Sequence, residues 1–101
     1  MIMRPEQKVQ AKIMEYLKSK GAYRVKIEAA SVAGVPDILV CYKAMFIGIE
    51  VKKSKSSQPT ELQLENINMI RQAGGLADVV SSLPEVDWLL RCVDSRVGKI
   101  A

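Results

Sequence analysis

The sequence predicts an α/β domain in which helices flank a mixed β-sheet, with the elements in the order α-β-β-β-α-β-α. Apolar residues recur every three or four positions in three segments, which is typical of amphipathic helices. Between these segments lie short runs rich in β-branched residues, which favour strands. No stretch of the 101 residues is rich enough in Pro, Gly and Ser to act as a linker, so residues 1–101 are expected to form a single domain.

The first two elements are predicted over residues 5–20 and 23–30. Residues 5–20 form a helix that ends at Gly21, because glycine readily takes the backbone conformation that closes a helix. Residues 23–30 alternate between apolar and charged side chains, the period of a half-buried strand, and are expected to form an edge or partly exposed strand. The apolar positions of the helix are Val9, Ile13, Tyr16 and Leu17.

A hairpin is predicted from residues 38–42 and 45–52, two apolar runs that are separated only by Lys43 and Ala44. A turn of two residues fixes which residues of the two strands lie opposite each other. The predicted pairs are Tyr42 with Met45, Cys41 with Phe46 and, continuing along the strands, Asp37 with Glu50.

The remainder of the chain predicts a helix, a strand and a helix. The second helix is expected to begin at residues 59–60 and to end at the glycine pair 74–75. Residues 76–81 suit a strand, and residues 84–91 suit a last helix. The apolar positions are Leu62, Ile67, Met69 and Ile70 in the second helix and Val86, Leu89 and Leu90 in the last one.

Composition narrows the classes of function. The chain contains no histidine, which excludes every mechanism that needs an imidazole base. Cys41 and Cys92 lie far apart in apolar surroundings, so buried free thiols are expected rather than a zinc site or a disulfide. The net charge of +4 and the pI near 9.2 are compatible with binding to nucleic acid. Carboxylates and lysines must therefore carry any catalysis.

The longest apolar run, residues 35–42, is interrupted by Pro36 and Asp37, and the N-terminus lacks the apolar core of a signal peptide. A cytoplasmic protein without membrane association is expected. A domain of this size buries only a modest fraction of its surface, so we also expect it to form a homodimer.

Glu50 and Lys52 project from the same face of the predicted third strand, because strand side chains alternate between faces. With Asp37 opposite Glu50, two carboxylates and one ammonium group converge. A divalent cation would neutralise the acidic pair and take phosphate oxygens as further ligands, and the lysine would serve the attacking water. The backbone carbonyl of Val51 is a further candidate ligand. Such an all-oxygen site fits Mg2+, with Mn2+ as a substitute, and no small-molecule cofactor is indicated.

The motifs Gly34-Val35-Pro36-Asp37 and Glu50-Val51-Lys52 resemble the split signature of the PD-(D/E)XK nuclease superfamily. Within it, the chain is similar to the VRR-NUC family. The resemblance covers most of the chain, from the first helix to the glutamine-containing helix start at residues 59–64. It implies a restriction-endonuclease-like fold and a nuclease related to Holliday junction resolvases.

The resemblance also implies roles for individual residues. Asp37 and Glu50 would bind the metal ion, Lys52 would serve the water, and Gln63 would lie near the site on the second helix. The family places an acidic residue in the first helix, where Glu6 shares the apolar side of the helix and Glu15 falls near the opposite side. Glu6 is therefore the better candidate for a further metal ligand.

Simpler interpretations of the same residues stay open. Asp37 after Pro36 is also a common turn residue, and Glu50 with Lys52 could be a surface ion pair. Gln63 follows Thr60 by three positions, the spacing of a capping box. In addition, residues 53–57 suit either phosphate contacts or a solvated loop, and Trp88 suits the core or a dimer interface better than base stacking.

The function expected from the resemblance is that of an Mg2+-dependent endonuclease, acting as a homodimer on branched DNA such as a four-way junction. Two sites related by a twofold axis would suit paired cuts in a symmetric junction. The alternatives are a flap, nick or single-strand nuclease of the same fold, and a non-catalytic nucleic-acid-binding module. A self-contained nuclease of this size would suit a phage or mobile element.

Overall fold

Seven elements follow one another in the predicted order. The computed structural model describes the backbone of residues 2–100 and the side chains of residues 2–96. The helices and strands are α1 (Pro5–Ser19), β1 (Tyr23–Lys26), β2 (Ile38–Tyr42), β3 (Met45–Val51), α2 (Glu61–Gln72), β4 (Leu76–Val80) and α3 (Leu83–Ile100).

The four strands form one mixed sheet in the order β1-β2-β3-β4. β1 pairs antiparallel with β2, and β2 pairs antiparallel with β3. β3 and β4 are parallel, so the chain between them must cross back along the sheet, and α2 makes this crossover. The predicted α/β class and element order are confirmed.

The predicted hairpin register is also confirmed. Tyr42 pairs with Met45, and Cys41 with Phe46. Lys43 and Ala44 form the turn with φ of 49° and 68°. Positive φ at both central residues is the backbone of a type I′ turn, whose twist matches that of the flanking strands.

Helices cover the two faces of the sheet unequally. On one face, α1 and α3 enclose the main hydrophobic core, to which Ile13 and Leu17 of α1 contribute. On the other face, α2 packs on β3 and β4, with Ile67 buried beneath it. The core residues contributed by the strands and α3 are Ile38, Val40, Tyr42, Ile47, Ile49, Val51, Val80, Val86, Leu89, Leu90 and Val93.

The apolar face expected for α2 is only partly buried. Ile67 is buried and Ile70 is half-buried, whereas Leu62 and Met69 are each 51% exposed. Leu62 and Met69 stay exposed because α2 lies over two strands only, so a narrow stripe of the helix meets the sheet.

β1 and β2 lack a covering helix on the α2 side of the sheet. On this open face lie Tyr23, which is 69% exposed, Val25 and Phe46. Cys41 shares the face and is exposed, and Cys92 is half-buried, so the expectation of two buried thiols was wrong. The alternation of residues predicts two faces for a strand, but it does not predict whether a helix covers either of them.

Two element boundaries differ from the prediction by four residues or more. β1 ends at Lys26 instead of residue 30, because residues 27–37 form the loop that leads to β2. α3 continues to Ile100 instead of residue 91, with Val93 still buried in the core. Trp88 of α3 is 60% exposed, which excludes the core position among its predicted alternatives.

In the part of the chain that the structure describes, none of the helices combines the length and apolarity needed to cross a membrane.

Candidate active site

Asp37 is positioned by the loop that precedes β2. Within this loop Gly34 has a φ of +86°, and a Cβ atom placed on it would lie 2.6 Å from the Leu62 carbonyl group. The Asn66 side-chain amide donates to the Ala33 carbonyl oxygen over 3.1 Å. Glycine is required here because of both the left-handed backbone and the close approach. The loop is thereby fixed against the first turns of α2.

The Asp37 side chain bridges β2 and β3. Its Oδ2 accepts a hydrogen bond from the Val51 amide over 2.8 Å. The last ladder pair is Ile38 with Ile49, and one further step along both strands brings Asp37 beside Glu50, as predicted. Because the amide and carbonyl of a strand residue point to the same side, the Val51 carbonyl faces this side as well.

Glu50 is a buried carboxylate, with only 2% of the residue exposed. Its Oε1 is buried and meets no hydrogen-bond donor. Burial, followed by the proximity of Asp37, raises the pKa of Glu50 to about 8, whereas Lys52 acts in the opposite direction. An acidic side chain in such surroundings is destabilising when it is ionised without a further positive charge.

Lys52 lies directly after β3 and points to the same side as Glu50. Its Nζ is 3.6 Å from Glu50 Oε2, and the Lys52 side chain is 15% exposed. The same Nζ donates to Gln63 Oε1 over 3.0 Å. The ammonium group therefore reaches the acidic pair and remains accessible to solvent.

Gln63 satisfies both of its predicted interpretations. The side-chain Oε1 of Gln63 accepts a hydrogen bond from the Thr60 backbone amide over 2.8 Å, and the Gln63 backbone amide donates to Thr60 Oγ1. These two bonds form a capping box at the start of α2. The Gln63 Nε2 donates to Glu50 Oε2 over 3.1 Å. The same side chain thus caps the helix and contacts the acidic centre.

Glu6 is held apart from the acidic pair. It lies in the first turn of α1, where it lines a cleft together with Arg4, Lys52 and Lys53. Among the described residues, no three acidic or cysteine side chains come close enough to hold a metal ion together. α1 packs on the opposite face of the sheet from Asp37 and Glu50, which is why the three carboxylates do not meet. Glu15 is exposed, as predicted.

The acidic pair has the donor set for a hard divalent cation. Glu50 Oε1 is an oxygen that no donor satisfies, the Asp37 carboxylate is beside it, and the Val51 carbonyl faces the same side. Magnesium prefers oxygen ligands of this type and usually keeps several waters. These residues therefore fit such an ion.

Three polar residues at the site were missed by the sequence reasoning. Arg4 and Gln58 line the space around Lys52, and Asn66 ties down the loop that carries Asp37. Asn66 follows Gln63 by three positions, the spacing that puts two residues on one side of a helix, and this signal could have indicated it. Arg4 precedes the first helix and shows no comparable signal.

The fold is similar to that of solved VRR-NUC domains. One structure titled "VRR_NUC domain" is 29% identical in sequence and superposes with a TM-score of 0.77, covering 88% of this chain and 97% of the other. A second, titled "VRR_NUC domain protein", is 24% identical with a TM-score of 0.70, covering 90% and 88%. These similarities confirm the resemblance predicted from the motifs.

A more distant similarity is to Hjc, a Holliday junction resolvase from the archaeal hyperthermophile Archaeoglobus fulgidus. It is 22% identical with a TM-score of 0.59, covering 77% of this chain and 69% of the other. No family model and no curated protein sequence matches the chain.

Proposed function

We infer that this chain, which has the fold of the VRR-NUC domains, is a nuclease that hydrolyses phosphodiester bonds in DNA. One observation carries the proposal. The buried Glu50 carboxylate, with an oxygen that lacks a donor, lies beside Asp37 and within 3.6 Å of the Lys52 ammonium. If Glu50 and Lys52 formed only a structural ion pair, neither the second carboxylate nor the buried oxygen without a donor would be explained.

Mg2+ is the metal ion that we propose for the site, with Mn2+ as a substitute. Asp37, Glu50 and the Val51 carbonyl would hold it, whereas Glu6, which the sequence had suggested as a further ligand, lies apart from these groups. When bound, the ion supplies a positive charge that stabilises the phosphoryl oxygens and favours ionisation of the attacking water.

The chain's own residues complete the chemistry. Lys52 hydrogen-bonds the attacking water with its ammonium group, which Gln63 Oε1 holds in place. Gln63 also fixes the Glu50 carboxylate through its amide, so that both groups are oriented before the substrate arrives. In the reaction, the water oxygen forms a bond to phosphorus and releases a proton to solvent, while the bond to the leaving oxygen breaks and that oxygen takes up a proton from solvent.

For the substrate we propose branched DNA, such as a four-way junction. The net charge of +4 favours a polyanion, and contacts between basic side chains and phosphates recognise the shape and backbone of DNA and not its sequence. The distant structural relative titled a Holliday junction resolvase supports the same choice.

A homodimer is part of the proposal. The open face presents Tyr23 and Val25 of β1, Leu39 of β2 and Phe46 at the start of β3. The cavity of about 310 Å3 on it is lined without any charged side chain. Exposed apolar area of this kind is typical of a surface that another protein covers. A second copy packed here would give two active sites related by a twofold axis, as paired cuts in a symmetric junction require.

Purified protein incubated with labelled DNA tests these proposals. The substrates are a four-way junction, a flap, a nicked duplex, an intact duplex and a single strand, each with Mg2+ and with a chelator. We expect the junction to be cleaved in the presence of Mg2+ and not in the presence of chelator. Cleavage restricted to flaps, nicks or single strands would support the nuclease and reject the junction, and binding without any cleavage would support a non-catalytic module.

A further inference from the structure

Two clefts open on either side of Lys52. The α1 cleft, of about 340 Å3, lies between the start of α1 and the β3–α2 loop (52–60). The α3 cleft, of about 250 Å3, lies between the same loop and the start of α3. Lys52, Ser57 and Gln58 line both of them. The clefts therefore meet at the lysine of the acidic centre.

Each cleft carries its own positive charge. Arg4 and Lys53 line the α1 cleft, and Lys55 lines the α3 cleft. All three side chains are exposed, and none of them takes part in the ion pairs that the described residues form. None of the three charges is therefore held in an ion pair among these residues, so each can contact a ligand.

The β3–α2 loop is shaped so that its two free lysines separate. The Ser57 amide donates to the Ser54 carbonyl over 3.2 Å, and the hydroxyls of the two serines are also 3.2 Å apart. This tight turn directs Lys53 towards one cleft and Lys55 towards the other.

The acidic residue of the α3 cleft is engaged at the start of α3. Glu85 Oε1 accepts hydrogen bonds from the Ser81 amide and from the hydroxyls of Ser81 and Ser82. Three donors therefore surround this carboxylate. In the α1 cleft, Glu6 shares the lining with three cationic residues, so the positive charge exceeds the negative charge there.

We propose that one DNA strand lies across both clefts, with the phosphate on one side of the scissile linkage bound by Arg4 and Lys53 and the phosphate on the other side bound by Lys55. The proposal rests on the proposed nuclease function. It adds the path of the strand, because the two sets of cations are separated by Lys52 itself.

Methylphosphonate linkages test this path, since each of them removes the charge of a single phosphate. Substrates carry one such linkage immediately 5′ or immediately 3′ of the cleaved position. They are cleaved by the wild-type protein, by Arg4→Gln/Lys53→Gln and by Lys55→Gln. Lys18→Gln, an exposed lysine in the last turn of α1 and outside both clefts, is the matched control.

The wild-type protein and the control are expected to lose roughly tenfold in kcat/KM on either modified substrate, the size of a charged hydrogen bond. Each cleft variant should lose no further activity on one of the two modified substrates, because it no longer has the cation that binds that phosphate. The α1-cleft variant and the α3-cleft variant should be insensitive to different linkages, as in a double-mutant cycle. For DNA binding measured in chelator, the slope of the logarithm of the binding constant against the logarithm of the salt concentration should be smaller by about 0.7–0.9 per removed cation.

If all proteins are equally sensitive to both modifications, the strand path is overturned. Cleavage by the wild-type protein would still support the nuclease function in that case. Loss of sensitivity to the same linkage in both variants would also overturn the strand path. If the wild type cleaves nothing, the salt dependence of binding decides whether the clefts hold DNA, and an unchanged slope in both variants rejects the proposal.

Discussion

The Gln63 side chain donates a hydrogen bond to the Glu50 carboxylate over 3.1 Å. The donor belongs to the first turn of a helix, and the acceptor to a strand on which that helix packs. The contact therefore makes the geometry of the acidic centre depend on how α2 begins.

The cap and the active-site contact of Gln63 can be separated by substitution. Thr60→Ala removes the Oγ1 acceptor of the cap but keeps the backbone amide that donates to Gln63 Oε1. It is therefore expected to lower the free energy of unfolding by about 1 kcal/mol without changing cleavage. Glutamate also suits the third helical position of a capping box, but Gln63→Glu places a third carboxylate beside Glu50 and Asp37, so cleavage should fall at least tenfold at nearly unchanged stability. Denaturant unfolding and cleavage assays measure the two effects, and equal activity losses in both variants would contradict the dual role.

Asp37→Asn is expected to slow cleavage strongly while DNA binding remains. Asparagine can still accept the hydrogen bond from the Val51 amide, so the hairpin should persist, but it lacks the charge that a metal ion needs. The rate should fall on the order of a thousandfold. Asp78→Asn on β4 of the same sheet is the control, because that carboxylate pairs with Arg71 over 3.7 Å and lies outside the centre. Undiminished cleavage by Asp37→Asn would reject the site.

The stability of the metal-free protein should fall as the pH rises. The pKa of Glu50 is about 8 in the folded chain against an ordinary value of 4.5, so between these values the folded state retains a proton that the unfolded state has lost. The stabilisation of the folded state by this raised pKa is complete below pH 4.5 and is lost as the pH rises through 8. Unfolding in chelator at pH 5, 6.5 and 8 measures it, and Glu50→Gln should show a shallower slope.

Mg2+ should reverse this trend. Because binding requires the ionised carboxylate, the rise in melting temperature on addition of Mg2+ should be larger at pH 8 than at pH 6. Glu50→Gln should show little response at either pH. An equal response of the variant and the wild type would place the metal ion elsewhere.

The turn of the hairpin offers a stabilising change away from the site. Ala44 has a φ of 68°, a conformation that is unfavourable for residues with a Cβ atom. Ala44→Gly is expected to raise the free energy of unfolding by about 0.5–1 kcal/mol at unchanged cleavage. Lys43 is better kept, since its ammonium pairs with Asp94 over 2.6 Å. Calorimetry checks the gain, and destabilisation would contradict the strained turn.

A charge on the open face should dissociate the proposed homodimer. Phe46→Asp would place a carboxylate in the apolar contact, which should weaken association by at least about tenfold, and light scattering after size exclusion reports the mass. Leu64→Asp on α2 is the control, being an exposed apolar residue outside the open face. A wild-type protein that is monomeric at all concentrations, or dissociation by the control alone, would reject this surface.

The part of the site within the hairpin was predictable from the sequence because local geometry determines it. A turn of two residues fixes the register, and the alternation of side chains then places Asp37, Glu50 and Lys52 together. Gln63 could be located in the sequence but not assigned, because the capping pattern and the active-site pattern use the same residue.

The remaining errors concern how elements pack on one another. Leu62 and Met69 belong to the apolar pattern of α2, yet they are exposed because α2 covers only two strands. Cys41 lies in an apolar run but on the face that no helix covers. The extent of coverage depends on contacts between distant segments, which neither periodicity nor composition records.

The hairpin also has a consequence for the order of folding. Asp37 and Val51 are 14 positions apart, so their contact closes a short loop, whereas β3 meets β4 only after residues 52–75 have crossed the sheet. Short loops close at lower entropic cost and sooner. We therefore expect the carboxylates to be brought together while water still screens their repulsion. The carboxylates lose their contact with water only when α2 packs on the sheet. At that step the Gln63 side chain donates a hydrogen bond to Glu50, which offsets part of the cost of burying it.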